Sequence, residues 1–379
     1  MLRLLTAGES HGKALVALVD GFPAGLTIES AAIDAELQRR QGGYGRGGRQ
    51  KLEVDTVEFL SGVWQGKTLG SPLAMQVINR DAKLERLKEL ERPRPGHGDL
   101  TGAIKFLGSI RGVLERASAR ETAARVAAGA LAQQLLALFG IQVFGYVVQL
   151  ETIPAPPRDG ELSELRAVRD ASPMYTLSPE VDPQLVARVD EETAAGDTLG
   201  GIVEVRVMGL PFGLGSHTQW DQKLDGLLAQ AVMSIQAIKG VEIGLGFEAA
   251  RRPGSQVHDE IAYDPADNAG PDLGYRRKTN NAGGLEAGMT NGQPLVLRAA
   301  MKPISTLRRP LASINLESKQ PENAAYERSD VCALAACSVI VESVVAFTIA
   351  QAFCEKFGHD SVAEIQARYD AFLQLARAR

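Results

Sequence analysis

What this chain lacks narrows its class before any motif is read. Its 379 residues include only three cysteines, Cys332, Cys337 and Cys354, all in one C-terminal segment. That distribution makes no disulfide framework and fits a reducing compartment, so buried structural thiols are expected there rather than a metal site. Histidine is scarce as well, at five residues, and neither a His-x-x-x-His pair nor a Cys-x-x-Cys occurs, which argues against zinc. Aromatic residues make up 5% and the net charge is −5, so the electrostatic footprint of a nucleic-acid-binding protein is missing. No apolar run is expected to reach the length of a membrane span, and the N-terminus has no basic-then-apolar leader pattern. The chain holds no Gly-x-x-x-x-Gly-Lys-Ser/Thr phosphate loop. With 45% hydrophobic and 23% charged residues, a globular enzyme of the cytoplasm with a large core is the expectation.

Glycine, by contrast, is plentiful at 39 residues, and it clusters with charged residues in loops. Gly8-Glu9-Ser10-His11-Gly12 follows the apolar run Leu4-Leu5-Thr6-Ala7, where a first strand would end. Imidazole titrates nearest neutrality and suits proton transfer, while flanking glycines let a ligand come close. A second histidine loop, Arg92-Pro-Arg94-Pro-Gly96-His97-Gly98-Asp99, sets an imidazole in a rigid turn beside two arginines. The densest cation cluster runs from Arg39 and Arg40 through Gly42-Gly43-Tyr44-Gly45-Arg46-Gly47-Gly48 to Arg49. Its literal Gly-x-Gly-x-x-Gly follows a helical pattern instead of a strand, so it is no dinucleotide fingerprint. It also looks like an isolated Arg/Gly box for RNA. An arginine loop that clamps a polyanion fits better, because guanidinium forks pair with phosphate and carboxylate.

Two segments of the chain share a design. Ala14 to Asp20 reads as a strand running into Gly21-Phe-Pro23-Ala-Gly25-Leu26 and a helix with Ile33 and Leu37; Gly201 to Met208 runs into Gly209-Leu-Pro211-Phe-Gly213-Leu214 and a helical stretch from about Asp221 to Ile238. Gly66-Lys-Thr68-Leu-Gly70-Ser-Pro72-Leu73 and Gly288-Met-Thr290-Asn-Gly292-Gln-Pro294-Leu295 then open matching strands. Repeat units of about 13–79 and 201–302 are expected. Each precedes a long apolar helix, Ser118 to Leu138 with a Ser118/Glu121 capping box, and a second from Asp330 as N-cap through Phe353. Paired helix N-termini favour anions. Between the units, 151–200 reads as a peripheral insertion or lid, and Asp81 to Arg92 as a solvated amphipathic helix. Together these residues predict elimination, isomerisation or group transfer on a phosphorylated, carboxylated metabolite, and nothing among them demands a flavin.

Three stretches carry a family resemblance: Gly8 to Gly12, Arg116-Ala-Ser118-Ala-Arg120-Glu-Thr122-Ala-Ala-Arg125, and Arg328-Ser-Asp330-Val-Cys-Ala333 with the helix to Glu342. Arg94 to His97, Met233 to Gly244 and Lys302-Pro-Ile-Ser-Thr306 fill the gaps. Over nearly the whole chain, in order, the sequence resembles the chorismate synthases. The resemblance implies one α+β domain over 1–379, a β-α-β sandwich with internal pseudo-two-fold duplication. It implies 1,4-anti elimination of phosphate from 5-enolpyruvylshikimate 3-phosphate, with reduced FMN and no net redox change. NADPH would serve as an indirect reductant, with a separate flavin reductase, and the assembly would be a homotetramer without nucleic acid or membrane. By the same likeness His11, His97 and Asp330 are catalytic. Arg116, Ala117, Ser118, Gln236, Ala237, Ala287, Lys302, Pro303, Ile304, Ser305, Thr306 and Arg328 hold the flavin. Arg40, Arg46, Arg49, Ser10, Arg120 and Arg125 meet substrate or NADP. Ala287 stands where the family often has glycine.

Overall fold

Two antiparallel sheets enclose a layer of helices in a computed structural model that describes residues 1–48, 53–327 and 329–379. The first part of the chain forms β1 (Arg3–Ala7), β2 (Ala14–Asp20), α1 (Ser30–Gln41), β3 (Glu58–Ser61), the small pair β4 (Val63–Trp64) and β5 (Lys67–Thr68), and β6 (Leu73–Ile78). A helical hairpin, α2 (Asp99–Phe106) and α3 (Ile110–Ala117), leads to α4 (Thr122–Ala137). Next come β7 (Gln142–Leu150), β8 (Ile153–Pro154), α5 (Leu162–Ala171) and α6 (Asp182–Ala195). The second part has β9 (Gly201–Met208), α7 (Leu224–Met233), β10 (Ile238–Ile243), the pairs β11 (Ile261–Tyr263) with β12 (Tyr275–Arg277) and β13 (Leu285–Glu286) with β14 (Met289–Thr290), and β15 (Leu295–Met301). The pair β16 (Ala312–Ile314) and β17 (Pro321–Asn323) precedes α8 (Leu334–Phe357) and α9 (Val362–Arg377).

The sheets run β1-β2-β6-β3 and β7-β9-β15-β10, with β8 added at one edge of the second. Equivalent strands therefore occupy equivalent places. The turns agree down to single hydrogen bonds: Thr68 Oγ1 donates to the Pro23 carbonyl at 2.6 Å and accepts from Leu26 N, and Thr290 Oγ1 does the same with Pro211 at 2.5 Å and Leu214 N. Gly25 and Gly213 both sit at positive φ, which their prolyl turns require.

Alternation places Leu15, Ala17, Val19, Leu73, Met75 and Val77 of one sheet, and Val203, Val205, Val207, Leu295, Leu297 and Ala299 of the other, in one core. Helices α1, α4, α7 and α8 lie between the sheets. Helix α4 is rich in alanine and leucine, good helix formers. Helix α8 is rich in β-branched residues, and burial along its whole length overrides that weaker propensity. At Gly129 the two helices come so close that a Cβ would lie 2.4 Å from the Ser343 carbonyl.

Several expectations need correction. Helix α8 spans 24 residues at mean hydropathy 1.8, so an apolar run long enough to cross a membrane does exist; it is 94% buried in the core. The helix begins at Leu334 and not at Asp330, whose carboxylate instead accepts from Gly47 N. The Ser118/Glu121 capping box does not form: Ser118 Oγ accepts from Arg120 N, and Glu121 turns to Thr6, Arg125 and Gln236. Residues 81–92 make only the short turn Leu84–Arg86, because Lys83 N and Leu84 N are drawn to the His11 carbonyl. The helical stretch expected over 221–238 is limited to α7. Segment 151–200 stands apart from these corrections: Leu185 and Val189 enter the main core, and Leu165 covers Phe144 and Tyr146 on the outer face of the second sheet. The three cysteines are buried, as expected, which pushes Cys332 up to about 11 and Cys337 up to about 12.

Candidate active site

The candidate residues come from connections that follow equivalent elements. The β1–β2 turn carries His11, and the segment after α1 carries Arg46. The β6–α4 connection carries His97 and Arg120, while its counterpart between β15 and α8 carries Lys302, Thr306 and Asp330. These last two connections meet. Arg94 Nη1 donates to Thr306 Oγ1 at 2.8 Å, Lys302 Nζ to the Gly96 carbonyl at 2.9 Å, and Arg111 to Glu327 at 3.0 Å.

At the first histidine, Ser10 is buried, with its amide on the Glu115 carbonyl and its hydroxyl accepting from Ser118 Oγ at 3.2 Å. His11 Nδ1 lies 3.0 Å from both Glu115 oxygens, its amide donates to Glu115 Oε2 at 2.8 Å, and its Nε2 is 3.7 Å from Asp81. Glu9, two residues before His11, is exposed. At the second, His97 Nδ1 is bound by Asp99 Oδ1, and Arg94 spans the same carboxylate with Nε and Nη2. Burial opposes charge on Asp99, yet hydrogen bonds from His97 and Arg94 hold it well below the usual carboxylate range. Burial likewise opposes charge on Glu115, and the His11 ring and amide draw it below its ordinary value.

The arginines form a buried group. Arg40 donates to Thr122 Oγ1 and the Ala119 carbonyl and stands 3.5 Å from Asp55, which Arg120 also engages. Arg46 Nε lies 2.9 Å from Asp330 Oδ2, and Arg46 Nη1 donates to the Arg40 carbonyl. Burial, helped by Arg120 and Arg46 and opposed by Asp55, pushes Arg40 down to about 9. Guanidinium keeps its proton at neutral pH, so the direction records crowding of buried cations that an anion would relieve. Arg40 Nη1 and Arg120 Nη2 are buried without a hydrogen-bond partner among the described residues. Arg39 is tied to Glu36 and Glu342, so the described guanidinium groups of the loop, those of Arg39, Arg40 and Arg46, are turned inward and offer RNA little.

The expected flavin residues gather beside this group, with exceptions. Arg116 donates to the Gly8 and Thr6 carbonyls and fixes the strand end before His11; Ala117 and Ser118 follow it at the end of α3. Gln236 Nε2 reaches Glu121, while its Oε1 is buried without a partner among the described residues. The Ala237 carbonyl accepts from Lys302 N at 3.0 Å, which brings Lys302 to Thr306 alongside. Arg125 is taken up by Glu121 and Ser234 Oγ. Ala287 is not brought to this end: it lies in the β13–β14 turn, beyond the far end of β15 from Lys302, roughly 20 Å away at the rise of an extended strand. Arg49 and Arg328 fall outside the described residues. Sequence reasoning missed Glu115, Asp55, Glu121 and Asn79, whose Oδ1 accepts from Arg120 Nε at 2.8 Å. For Glu115, its place directly before Arg116 was the only signal; Asp99 was visible two residues from His97.

The sequence profile of the chorismate synthase family matches residues 2–354. The chain belongs to the chorismate synthase family. Chorismate synthases of Geobacter metallireducens and Geobacter sulfurreducens are 55% and 52% identical to it, with each alignment covering 100% of both chains. A solved chorismate synthase structure superposes with a TM-score of 0.79 at 41% identity, covering 100% of this chain and 99% of that one. The β-α-β sandwich is thus the chorismate synthase fold.

Proposed function

We propose that this protein forms chorismate by removing phosphate and a ring proton, in 1,4-anti fashion, from 5-enolpyruvylshikimate 3-phosphate. The observation that carries this reading is the buried Arg40–Arg46–Arg120 group set beside two carboxylate-bound histidines. A substrate with one phosphate and two carboxylates needs such cations, and a departing phosphate needs a proton donor nearby. His97 neutralises the leaving phosphate, His11 would protonate or hold the reduced flavin, and Asp330 takes the proton relay while holding Arg46.

The residues present fit a reduced flavin. Gln236 offers a buried acceptor oxygen in need of a donor, and Lys302, whose burial and neighbour Lys239 lower it, offers a cation. Arg116, Ala117, Ser118, Gln236, Ala237 and Lys302 to Thr306 would hold FMN there, with Arg328. When bound, reduced FMN supplies electron density as the C–O bond breaks and regains it afterwards. Arg40 and Arg46 meet the substrate, or NADPH as an indirect reductant, with a separate reductase supplying the flavin in the cytoplasm. The chain acts as one domain built of units 13–79 and 201–302, assembled as a homotetramer.

The test is anaerobic phosphate release from 5-enolpyruvylshikimate 3-phosphate with FMN and dithionite. Release by the wild type that is lost in the His11→Ala/His97→Ala double variant is the expected result. Undiminished release by that variant would sink the reading.

A further inference from the structure

The hairpin α2–α3 supplies both carboxylates that touch the histidines: Asp99 is the first residue of α2, and Glu115 lies in the last turn of α3. Its helices are close enough that a Cβ on Gly102 would meet Val113 Cγ1 at 2.4 Å, so the two carboxylates are mounted on one tightly packed unit. Both are almost fully buried. Both bind the same ring atom, Nδ1, which leaves Nε2, near Asp81 in the case of His11, as the nitrogen able to meet a ligand.

We propose that Asp99 and Glu115 are positioning residues, a pair of clamps on one hairpin that fix the tautomer and aim of His97 and His11. The proposal rests on the reading that these histidines serve the elimination. An ionised carboxylate only accepts hydrogen bonds, so each Nδ1 must carry the proton it shares. The surrounding donors make the clamp specific. Asp99 Oδ2 accepts from the Arg94 amide at 3.0 Å and from Arg94 Nε at 2.8 Å. Oδ1 accepts one Arg94 donor, Nη2 at 3.0 Å, which also lies 3.1 Å from His97 Nδ1. In Asp99→Asn the amide oxygen keeps the Oδ2 place with its two donors, and the NH₂ group faces His97 Nδ1 and Arg94 Nη2. Two donors cannot face one another, so the ring proton moves to Nε2. Glu115 Oε2 is held by the His11 amide but also lies 3.0 Å from His11 Nδ1, so Glu115→Gln would keep an acceptor for the ring, whereas Glu115→Leu removes both oxygens. Second-sphere carboxylates of this kind set tautomer and ring direction without touching the reactants.

The experiment records imidazole ¹⁵N–¹H spectra of ¹⁵N-histidine-labelled protein without added ligand. Five histidines make assignment by single His→Asn variants practical. In the wild type His11 and His97 should show protonated Nδ1; in Glu115→Leu the His11 ring should switch to protonated Nε2, which faces Asp81, and in Asp99→Asn the His97 ring should switch likewise. Turnover should fall about 10–100-fold in each, with KM changed less than about threefold, because binding cations are untouched. Unswitched tautomers in folded variants overturn the proposal whatever the activity. Switched tautomers with full turnover overturn the catalytic reading beneath it. A fall in thermal stability with kcat intact at low temperature makes the carboxylates structural only and likewise overturns it.

Discussion

Replacing Asp330 by asparagine should strengthen anion binding while it slows the reaction. Asp330 Oδ1 accepts from Gly47 N at 2.6 Å, and an asparagine carbonyl can keep that bond. The other oxygen, 2.9 Å from Arg46 Nε, becomes an NH₂ group and the ion pair is lost. Both side chains are mostly buried, at 9% and 18% exposure, so the charged contact contributes about 1–2 kcal/mol. Three guanidinium groups, those of Arg40, Arg46 and Arg120, are set against the carboxylates of Glu53, Asp55 and Asp330. Neutralising one carboxylate leaves one guanidinium in excess. At an effective dielectric near 20–40 and separations of roughly 8 Å, that excess favours a bound anion by about 1–2 kcal/mol, some five- to thirtyfold in affinity. The assays are thermal unfolding, inorganic phosphate titration by calorimetry, and anaerobic turnover. A Tm lower by a few degrees, tighter phosphate and slower turnover are expected. Weaker phosphate binding with unchanged Tm would refute the electrostatic reasoning, and unchanged turnover would confine Asp330 to holding Arg46.

Three further outcomes follow from geometry. Thr68→Val and Thr290→Val each strip one hydroxyl from a buried turn and orphan a backbone amide and a carbonyl, so each should cost about 1–3 kcal/mol in urea unfolding, by similar amounts. Gly129→Ala should destabilise by about 1–3 kcal/mol or block folding, because its Cβ would overlap Ser343 on α8; a Tm equal to wild type would contradict the crossing. Asp99, Glu115 and Glu121 are all held below their ordinary values in the fold. The unfolded chain therefore binds more protons as pH drops, and their stabilisation, present above about pH 5, is lost on acidification. Chemical unfolding from pH 7 to 3 should show that slope, and Asp99→Asn should flatten it.

Much of the fold was readable because its signals are local. The spacing of Ile33 and Leu37, the alternation in Leu73–Ile78 and Leu295–Met301, and the paired Gly-Pro turns each lie within a dozen residues. The two histidine loops were readable for the same reason. What misled was a local signal overruled from a distance. Asp330 looks like a cap until Gly47 and Arg46 claim its carboxylate, and 81–92 has helical periodicity until His11 draws its amides away. The carboxylates that hold the histidines divide along the same line: Asp99 is two residues from His97, whereas Glu115 lies 104 residues from His11 and only the fold joins them.

The face-to-face burial of α4 and α8 also dictates how the chain must be made. Helix α4 is finished at Ala137, but the helix that covers it is not complete until Phe357, 220 residues later. At synthesis rates of about 5–20 residues per second, its apolar surface waits roughly 10–45 s for its partner. During that interval the nascent first sheet has no closed core. A ribosome-bound chain stopped before residue 334 should recruit holding chaperones, and the mature chain should refold slowly, through a collapsed intermediate that only the last long helix resolves.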